Sequence, residues 1–577
     1  MVKPRIGELS FELLLGGMLL AFVVVMLMLP SVTFLAGYRL TPWHFPVSLV
    51  IVYVTVLVYS RKGNLTRYFK AIGAHLALVA SAVFAASVTY DTSYDGQAYH
   101  QETVYQLKNG WNPAREIPPD SVSYAIWINH YAKGAELSSA VIYGFTDRIE
   151  SGKATNILLA VAGFFLCVCA LTAATPLSRY KVLLLSAFAA LNPVTITQLF
   201  SFCIDGQLAS LLLCLASACC LVFAEASRTN LVLLGLSMLM VINIKFTGVP
   251  FVGIFIIGLF AIMVFRRRTN DLKRTALCVA IAGAAAIGIA GYNPYVKNSL
   301  SKGHPFYPLM TASGKPAVDI FIMNTPVSFR EKNRFEKFFI SIFSHTENVS
   351  AYPATSPRLK IPFSVDRMEI RDAVLPDTRI AALGPFFCGI FLLAVGLVVG
   401  ELVRVKSLPG ITYMLYALTI LAVSIFIVSE AWWARLVPQL WLVPLLFILL
   451  LELASLSPLS RRIKSILYLA LFFNIGLSLL SIPKNIVQTI FLRYQLAEMR
   501  ASRSPVLVNF GFLPASRTRL REAGINYREV TAFPAEKNES WLACSSTRYR
   551  IGPTAVSKEP RYIGLLRKIP GADLRTY

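Results

Sequence analysis

The chain is short of charge. Asp, Glu, Lys and Arg make up only 15% of its 577 residues, against about 25% in an ordinary soluble domain. So few charges cannot clothe a globule of this length in water, which argues against a large soluble enzyme and leaves lipid to cover much of the surface. Histidine is scarce too, with 6 residues. The nine cysteines form no CxxC pair and no Cys/His spacing suited to zinc, and most sit inside apolar runs as small packing residues. There is no Walker A lysine loop, no GxGxxG and no GxSxG. Nucleotide-driven transport and serine hydrolysis therefore lack their usual signatures.

What the chain has in quantity is apolar: 55% of its residues are hydrophobic and the mean hydropathy is +0.59. Apolar stretches run over Phe11–Gly37, Phe45–Tyr59, Ala71–Tyr90, Ala154–Ala174, Val182–Leu199, Leu208–Ala226 and Leu231–Ile244. Six more cover Val249–Phe265, Ala276–Tyr292, Ala381–Leu402, Ile411–Val428, Val437–Leu453 and Ile466–Ile482. Each approaches the roughly 20 residues that a helix needs to cross about 30 Å of hydrocarbon. The expectation is an all-α polytopic membrane protein with about thirteen spans. The first stretch is too long for a signal-peptide core and is read as a span.

Basic residues orient the stack. One set of alternate connections holds nineteen, from Lys3 and Arg5 through Arg61, Lys62, Arg67, Lys70, Arg179, Lys181 and Arg228 to the Arg266–Arg274 group, Arg404, Lys406 and Arg461–Lys464. The short connections on the other side hold three: Arg39, Lys245 and Arg435. By the positive-inside rule the N-terminus is expected in the cytoplasm. Three long segments, Asp91–Lys153, Pro294–Ile380 and Pro483–Tyr577, then lie outside. Nothing in this distribution resembles a nucleic-acid footprint.

The expected organisation is two N-terminal helices (1–70), a seven-helix unit with an outer loop (71–293), a long outer loop (294–380), four further helices (381–482) and a small α/β C-terminal domain (483–577). In the last, Val506–Phe510 reads as a strand and Ala515–Ala523 as a polar helix. Its surplus of arginine reads mainly as a solvated face drawn to anionic headgroups. Within the long loop, Ser350–Lys360 is polar, proline-interrupted and without period, so partial order is expected there until substrate binds.

Candidate functional residues gather where apolar stretches end. Asp95, Tyr99, Glu102 and Gln106 follow helical spacing, with Asp91 one turn before. A partly buried carboxylate at such a place can serve as a general base, or the group can simply be a polar cap. Lys245 suits a headgroup phosphate or snorkelling. Arg435 follows Glu430, Trp432 and Trp433, and the tryptophans read first as an interfacial aromatic belt. Asp205 suits a helix start, and His304, beside Pro305, either orients its loop or, less readily, ligates a divalent metal. His75 reads as a packed core histidine.

Asp95-Gly96-Gln97-Ala98-Tyr99, followed by Leu107-Lys108-Asn109-Gly110-Trp111-Asn112-Pro113, resembles the first outer-loop motif of the GT-C superfamily of membrane glycosyltransferases. The sequence departs from that pattern at Gly96, where many members carry a second acid. Asn192-Pro193 with Asp205-Gly206 resembles the second outer loop. Lys245-Phe246-Thr247-Gly248 and Gly303-His304-Pro305-Phe306-Tyr307-Pro308 resemble later junctions. The matched segment is about Ala71–Leu309.

The resemblance implies a GT-C-like fold and transfer of a sugar from a polyprenyl-phosphate-linked donor, as in protein mannosyltransferases and aminoarabinose transferases. The acceptor would be a glycan, lipid or protein at the extracytoplasmic face of a membrane, here expected to be a bacterial inner membrane. Asp95 or Asp91 would be the base. Tyr99, His100, Glu102, Asp205, Lys245, His304, Tyr307 and Arg435 would bind substrate. No cofactor is assigned, and a divalent metal is left open. The competing classes are a lipid-linked saccharide flippase or transporter, and a polysaccharide polymerase or ligase. The scarcity of charge in the helix middles disfavours translocation.

Overall fold

A computed structural model describes residues 10–59, 65–118, 122–319, 321–348, 356–533, 539–551 and 560–566. It is 68% helical, with 8 helices long and apolar enough to cross a membrane and a sheet of 4 strands near the C-terminus. By length and composition these helices mark a membrane protein.

Each of the thirteen apolar stretches carries a helix: α1 Phe11–Leu35, α2 His44–Tyr59, α3 Leu65–Ser87, α4 Ala154–Ala174, α5 Arg179–Ala190, α6 Asp205–Ala224 and α7 Arg228–Ile244, then α8 Gly248–Phe265, α9 Thr269–Ala285, α10 Phe387–Val405, α11 Ile411–Phe426, α12 Leu442–Leu453 and α13 Pro458–Leu479. Eight of the thirteen meet the length needed to span. The other five, α2, α5, α7, α11 and α12, have 12 to 17 residues. At 1.5 Å per residue they reach only about 18–26 Å, short of the roughly 30 Å of hydrocarbon. Local stops explain the shortfall. Helix α5 ends before Asn192-Pro193, where the Asn192 side chain accepts from the Val194 amide at 2.9 Å and starts a separate turn over Pro193–Thr197.

Helix α6 lies at the centre, packed by α4, α7 and α8, while α1 lies along α4. Its buried positions run all round, as a helix surrounded by other helices requires. Side chains such as Val232, Ile257, Phe265, Ile281 and Phe472 are exposed and apolar, the pattern of a surface facing hydrocarbon. His75 packs edge-on against Phe22 and Tyr53, with its Nδ1 3.1 Å from the Tyr53 hydroxyl. All nine cysteines are free.

Basic residues assigned to the cytoplasmic side pair with acids near helix ends, some of them across helices. Arg179 pairs with Glu12, Lys181 and Lys464 reach Glu452 at 2.6 and 2.5 Å, and Arg404 pairs with Glu401. Lys3, Arg5, Arg61 and Lys62 lie outside the described residues.

Helix α13 continues almost without a break into α14, Ser481–Arg500. The pair covers 43 residues, about 65 Å as helix against about 30 Å for the hydrocarbon of a bilayer. A small α/β unit rests on α14, with β1 Val506–Asn509, a helix α15 over Ala515–Glu522, β2 Tyr527–Glu529, β3 Ser540–Trp541 and β4 Arg548–Arg550. The order is β2-β1-β4-β3, with β1 and β2 parallel and the other pairs antiparallel. Val506, Val508, Leu520 and Leu542 pack on Phe491, Leu492 and Leu496 of α14.

In the long loop the helices Arg334–Ile342 and Arg367–Asp372 each start in a capping box, Asn333 with Glu336 and Asp366 with Glu369. Lys360 meets Glu369 at 2.5 Å with both side chains buried. Of Ser350–Lys360, residues 350–355 lie outside the described residues.

Candidate functional site

Five charged residues from five separate parts of the chain meet where helices end. Asp95 lies one residue before a π-helical turn, Gly96–His100, that leads into the helix Gln101–Lys108. Asp205 opens α6, Lys245 follows α7, Asp377 lies in the long loop, and Arg435 sits in a short turn, Ala434–Leu436, ahead of α12. Arg435 Nη1 is 2.9 Å from Asp95 Oδ2, 3.0 Å from Asp377 Oδ1 and 3.5 Å from Asp205 Oδ2. Lys245 Nζ reaches Asp205 Oδ1 at 2.6 Å. Arg379 lies 4.0 Å from Asp377. Three carboxylates thus face three cations.

Burial alone would lower the pKa of Arg435. Asp377, Asp95 and Asp205 more than offset it and hold the guanidinium firmly charged. Burial pushes the Asp377 carboxyl up, opposed by Arg435 and reinforced by Asp95. The hydroxyls of Tyr99 and Tyr131 are raised first by burial and then by the nearby acids, Asp95 foremost for Tyr99 and Asp205 for Tyr131. Both tyrosines therefore border the cluster and stay protonated.

Trp433 supports this arrangement from below. Arg435 lies over its ring at 4.3 Å and Arg379 at 5.5 Å, while its indole N–H donates to the Thr378 carbonyl at 3.2 Å. Trp432 and Trp433 are each only 2% exposed. Their burial takes them out of the interfacial belt expected of them: Trp433 ties the Asp377 loop to Arg435, and Trp432 stacks on Trp433 and packs edge-on against Phe329. Gln198 adds a second tie, accepting from the Gly206 amide at 2.7 Å and donating to the Pro376 carbonyl at 2.9 Å.

Asp91, the other candidate base, is fully buried, and burial raises its carboxyl, with Glu150 adding and Lys153 opposing. Its oxygens accept from the amides of Ser93 at 2.8 Å and Phe202 at 3.1 Å and from the Gln101 side chain at 3.2 Å. Asp91 thus ties together the segments of Ser93, Gln101 and Phe202 and, among the described residues, makes no ion pair with Arg435. It also accounts for Gly96: a Cβ there would fall 1.8 Å from Asp91 Oδ2. The Lys-Phe-Thr-Gly junction has a similar origin, because a Cβ at Gly248 would fall 1.9 Å from the Val241 carbonyl.

The remaining candidates lie elsewhere. His100 is buried with its Nδ1 2.5 Å from Glu136, and Glu102 accepts from Gln106 at 2.7 Å. His304 accepts from the Phe306 amide at 3.1 Å, and Tyr307 packs against His130. Among the described residues no acid joins His304 in a metal-binding group. The group that does form is His345, Asp366 and Glu369, where Glu369 Oε1 already receives Lys360 at 2.5 Å and the Thr346 amide at 2.9 Å. In the Arg435 cluster the carboxylates are paired with Arg435 and Lys245.

The chain matches no family model, no curated protein and no solved structure. The geometry alone therefore carries the argument.

Two contributors escape a reading of the sequence. Asp377 stands in a long loop without period, and its only local signal is the Asp377-x-Arg379 pair before an apolar stretch. Arg519, expected on a solvated face, is 1% exposed. It donates to Gln97 Oε1 at 2.9 Å, to the Asp91 carbonyl and to Glu150 Oε1 at 3.3 Å. Gln97 in turn donates to the Cys544 carbonyl at 2.8 Å. The C-terminal unit thus braces the segment that carries Asp95.

Proposed function

We propose that the protein is an integral membrane glycosyltransferase that moves a sugar from a polyprenyl-phosphate-linked donor to an acceptor hydroxyl at the extracytoplasmic face. The observation that carries this reading is the Arg435 guanidinium, buried among Asp95, Asp205 and Asp377 at the ends of apolar helices. Its Nε–H is buried without a hydrogen-bond acceptor among the described residues, a donor suited to a phosphate oxygen.

In this reading the lipid tail lies between helices. Lys245 and Arg435 stabilise the charge that develops on the departing phosphate. Asp95 takes the acceptor O–H proton, the freed oxygen bonds to the anomeric carbon, and the carbon–oxygen bond to phosphate breaks with its electron pair leaving on the polyprenyl phosphate. A single displacement inverts the anomeric centre. Asp377, which shares Arg435 Nη1 with Asp95, holds the acceptor hydroxyl within reach of that base. Neutralised cations suit a site that must release its anionic product as well as bind the donor.

The test is transfer from polyprenyl-phosphate-linked sugars by the purified protein in sealed proteoliposomes, read by mass spectrometry of the lipid fraction and by reaction of the lipid-linked sugar with an impermeant oxidant from outside. Donor-dependent loss of the sugar from the lipid, abolished in Arg435→Met, supports the reading. Movement of intact lipid-linked sugar across the bilayer without cleavage would assign the protein to the flippases instead.

A further inference from the structure

Beside the charged cluster lies a cavity of about 250 Å³. Its walls come from the turn Pro193–Thr197 and the chain after it, the long loop at Val374–Asp377, the start of α14, and Cys544 of the C-terminal unit. Ser93, Ser201, Asp377, Lys484, Asn485 and Gln488 line it with polar groups. Ile196, Phe200 and Pro376 supply an apolar patch. The volume equals that of about eight waters, enough for one sugar ring. Asp377 is the residue shared by the cavity and the Arg435 cluster.

We infer that this cavity is the subsite for the acceptor, and that its occupant is a single hydroxyl-rich glycosyl ring. The inference rests on the glycosyl-transfer reading for the word acceptor, and on the cavity alone for the ligand's chemistry. Hydroxyl groups are both donors and acceptors, and the wall offers both kinds of partner. Asn485 anchors its amide nitrogen on the Tyr90 carbonyl at 2.9 Å, while its Oδ1 is buried without a hydrogen-bond partner. Such an oxygen is costly to leave unpaired and is satisfied by a ligand hydroxyl. The Phe200 ring and Pro376 suit the C–H face of a pyranose.

The position selects acceptor over donor. Lys245 and Arg435, the cations assigned above to the lipid phosphate, do not line the cavity, and the lysine that does, Lys484, stands at the start of α14. The start of α14 and Cys544 of the C-terminal unit form part of its wall. A ring held there presents a hydroxyl toward Asp377, whose carboxylate shares Arg435 Nη1 with Asp95.

Saturation-transfer NMR on the full-length protein in detergent tests this, with methyl glucoside, mannoside and galactoside as probes and cyclohexanol as the apolar control. At least one glycoside should receive saturation and cyclohexanol should not. Thr197→Trp fills the cavity from a half-buried position whose hydroxyl bonds only its own turn, and should abolish the signal. Asn485→Leu should weaken it. A short polyprenyl phosphate should leave it unchanged; competition would make the cavity a donor site and overturn the inference. So would absence of signal from every glycoside, equal signal from cyclohexanol, or full signal in Thr197→Trp. Binding that persists in a protein without transfer activity would defeat the transferase reading but leave the glycosyl-ring site standing. An active transferase indifferent to Thr197→Trp would do the reverse.

Discussion

Arg435 holds Asp95 at 2.9 Å across 340 positions of sequence, and the same nitrogen holds Asp377 at 3.0 Å. One guanidinium thus fixes the distance between the proposed base and the proposed acceptor-holding carboxylate. The two acids are expected to separate kinetically. Asp95→Asn should lower kcat by about 10²–10⁴-fold, the scale for losing a positioned base. Asp377→Asn should act mainly on acceptor KM. Full activity in a stably folded Asp95→Asn protein would remove the base assignment, and an intact acceptor KM in Asp377→Asn would remove the other.

Removing the cation should hurt more than removing one anion. Arg435→Met strands Asp95 and Asp377 with like charges facing, a loss on the order of 3–5 kcal/mol for a broken buried pair. Adding Asp95→Asn to Arg435→Met should recover part of that loss, because one uncompensated charge disappears. Thermal unfolding of the two single variants and the double variant measures the coupling; strict additivity would show that the pair does not interact.

Arg519→Met removes the brace between the C-terminal unit and the Asp91–Gln97 segment. Glu150 and the Asp91 carbonyl lose a buried donor, again about 3–5 kcal/mol. Limited proteolysis should cut the chain after α14 faster than in the parent protein. Unchanged cleavage would mean that α14 packing alone retains the unit.

Lys133 is 4% exposed and donates to the carbonyls of Asn129 and Tyr131 at 3.0 and 2.8 Å and to Asn293 Oδ1 at 2.5 Å. Burial pushes its pKa down to about 7, partly countered by Glu136 and reinforced by Lys297. An unfolded lysine titrates near 10.4, at about the model-peptide value, so between the two the unfolded chain binds more protons. Stability from this group therefore rises with pH from about 7 upward and is lost below it. The melting temperature of the parent should climb relative to Lys133→Met between pH 6 and 9, both in the same detergent at each pH. A constant difference would place the Lys133 pKa outside that window.

The two ends of the helix assembly should lie on opposite sides of a membrane. A cysteine at Arg267, between α8 and α9, should react with an impermeant maleimide only from the cytoplasm. One at Ser313, in the long loop, should react only from outside. Same-side labelling would overturn the orientation and the placement of the Arg435 cluster.

Much of this architecture follows from the sequence because transfer into lipid acts on local composition. A run such as Asp205–Ala224 is apolar enough to declare itself whatever surrounds it. Helix length is less local. Asn192-Pro193 cuts short what looks like a continuous run, since a cap and a missing amide end a helix that hydropathy alone would extend. The strand at Val506–Asn509 and the helix at Ala515–Glu522 were legible from alternation and polarity.

For the site, the sequence by itself determined that Asp95, Asp205, Lys245 and Arg435 stand at the ends of apolar runs, because a charge in such a chain is excluded from the hydrocarbon and collects there. Only the tertiary structure decided which of them meet. Asp377 joins them from a loop without period, since loop closure rather than spacing brings it to Arg435. Trp432 and Trp433 went inward because an aromatic ring near a helix end is equally served by lipid or by protein, and local sequence does not distinguish the two. Arg519 is buried for a similar reason: its three acceptors, on Gln97, Asp91 and Glu150, are supplied by segments more than 360 positions away, and no local pattern of charge encodes partners that only folding assembles.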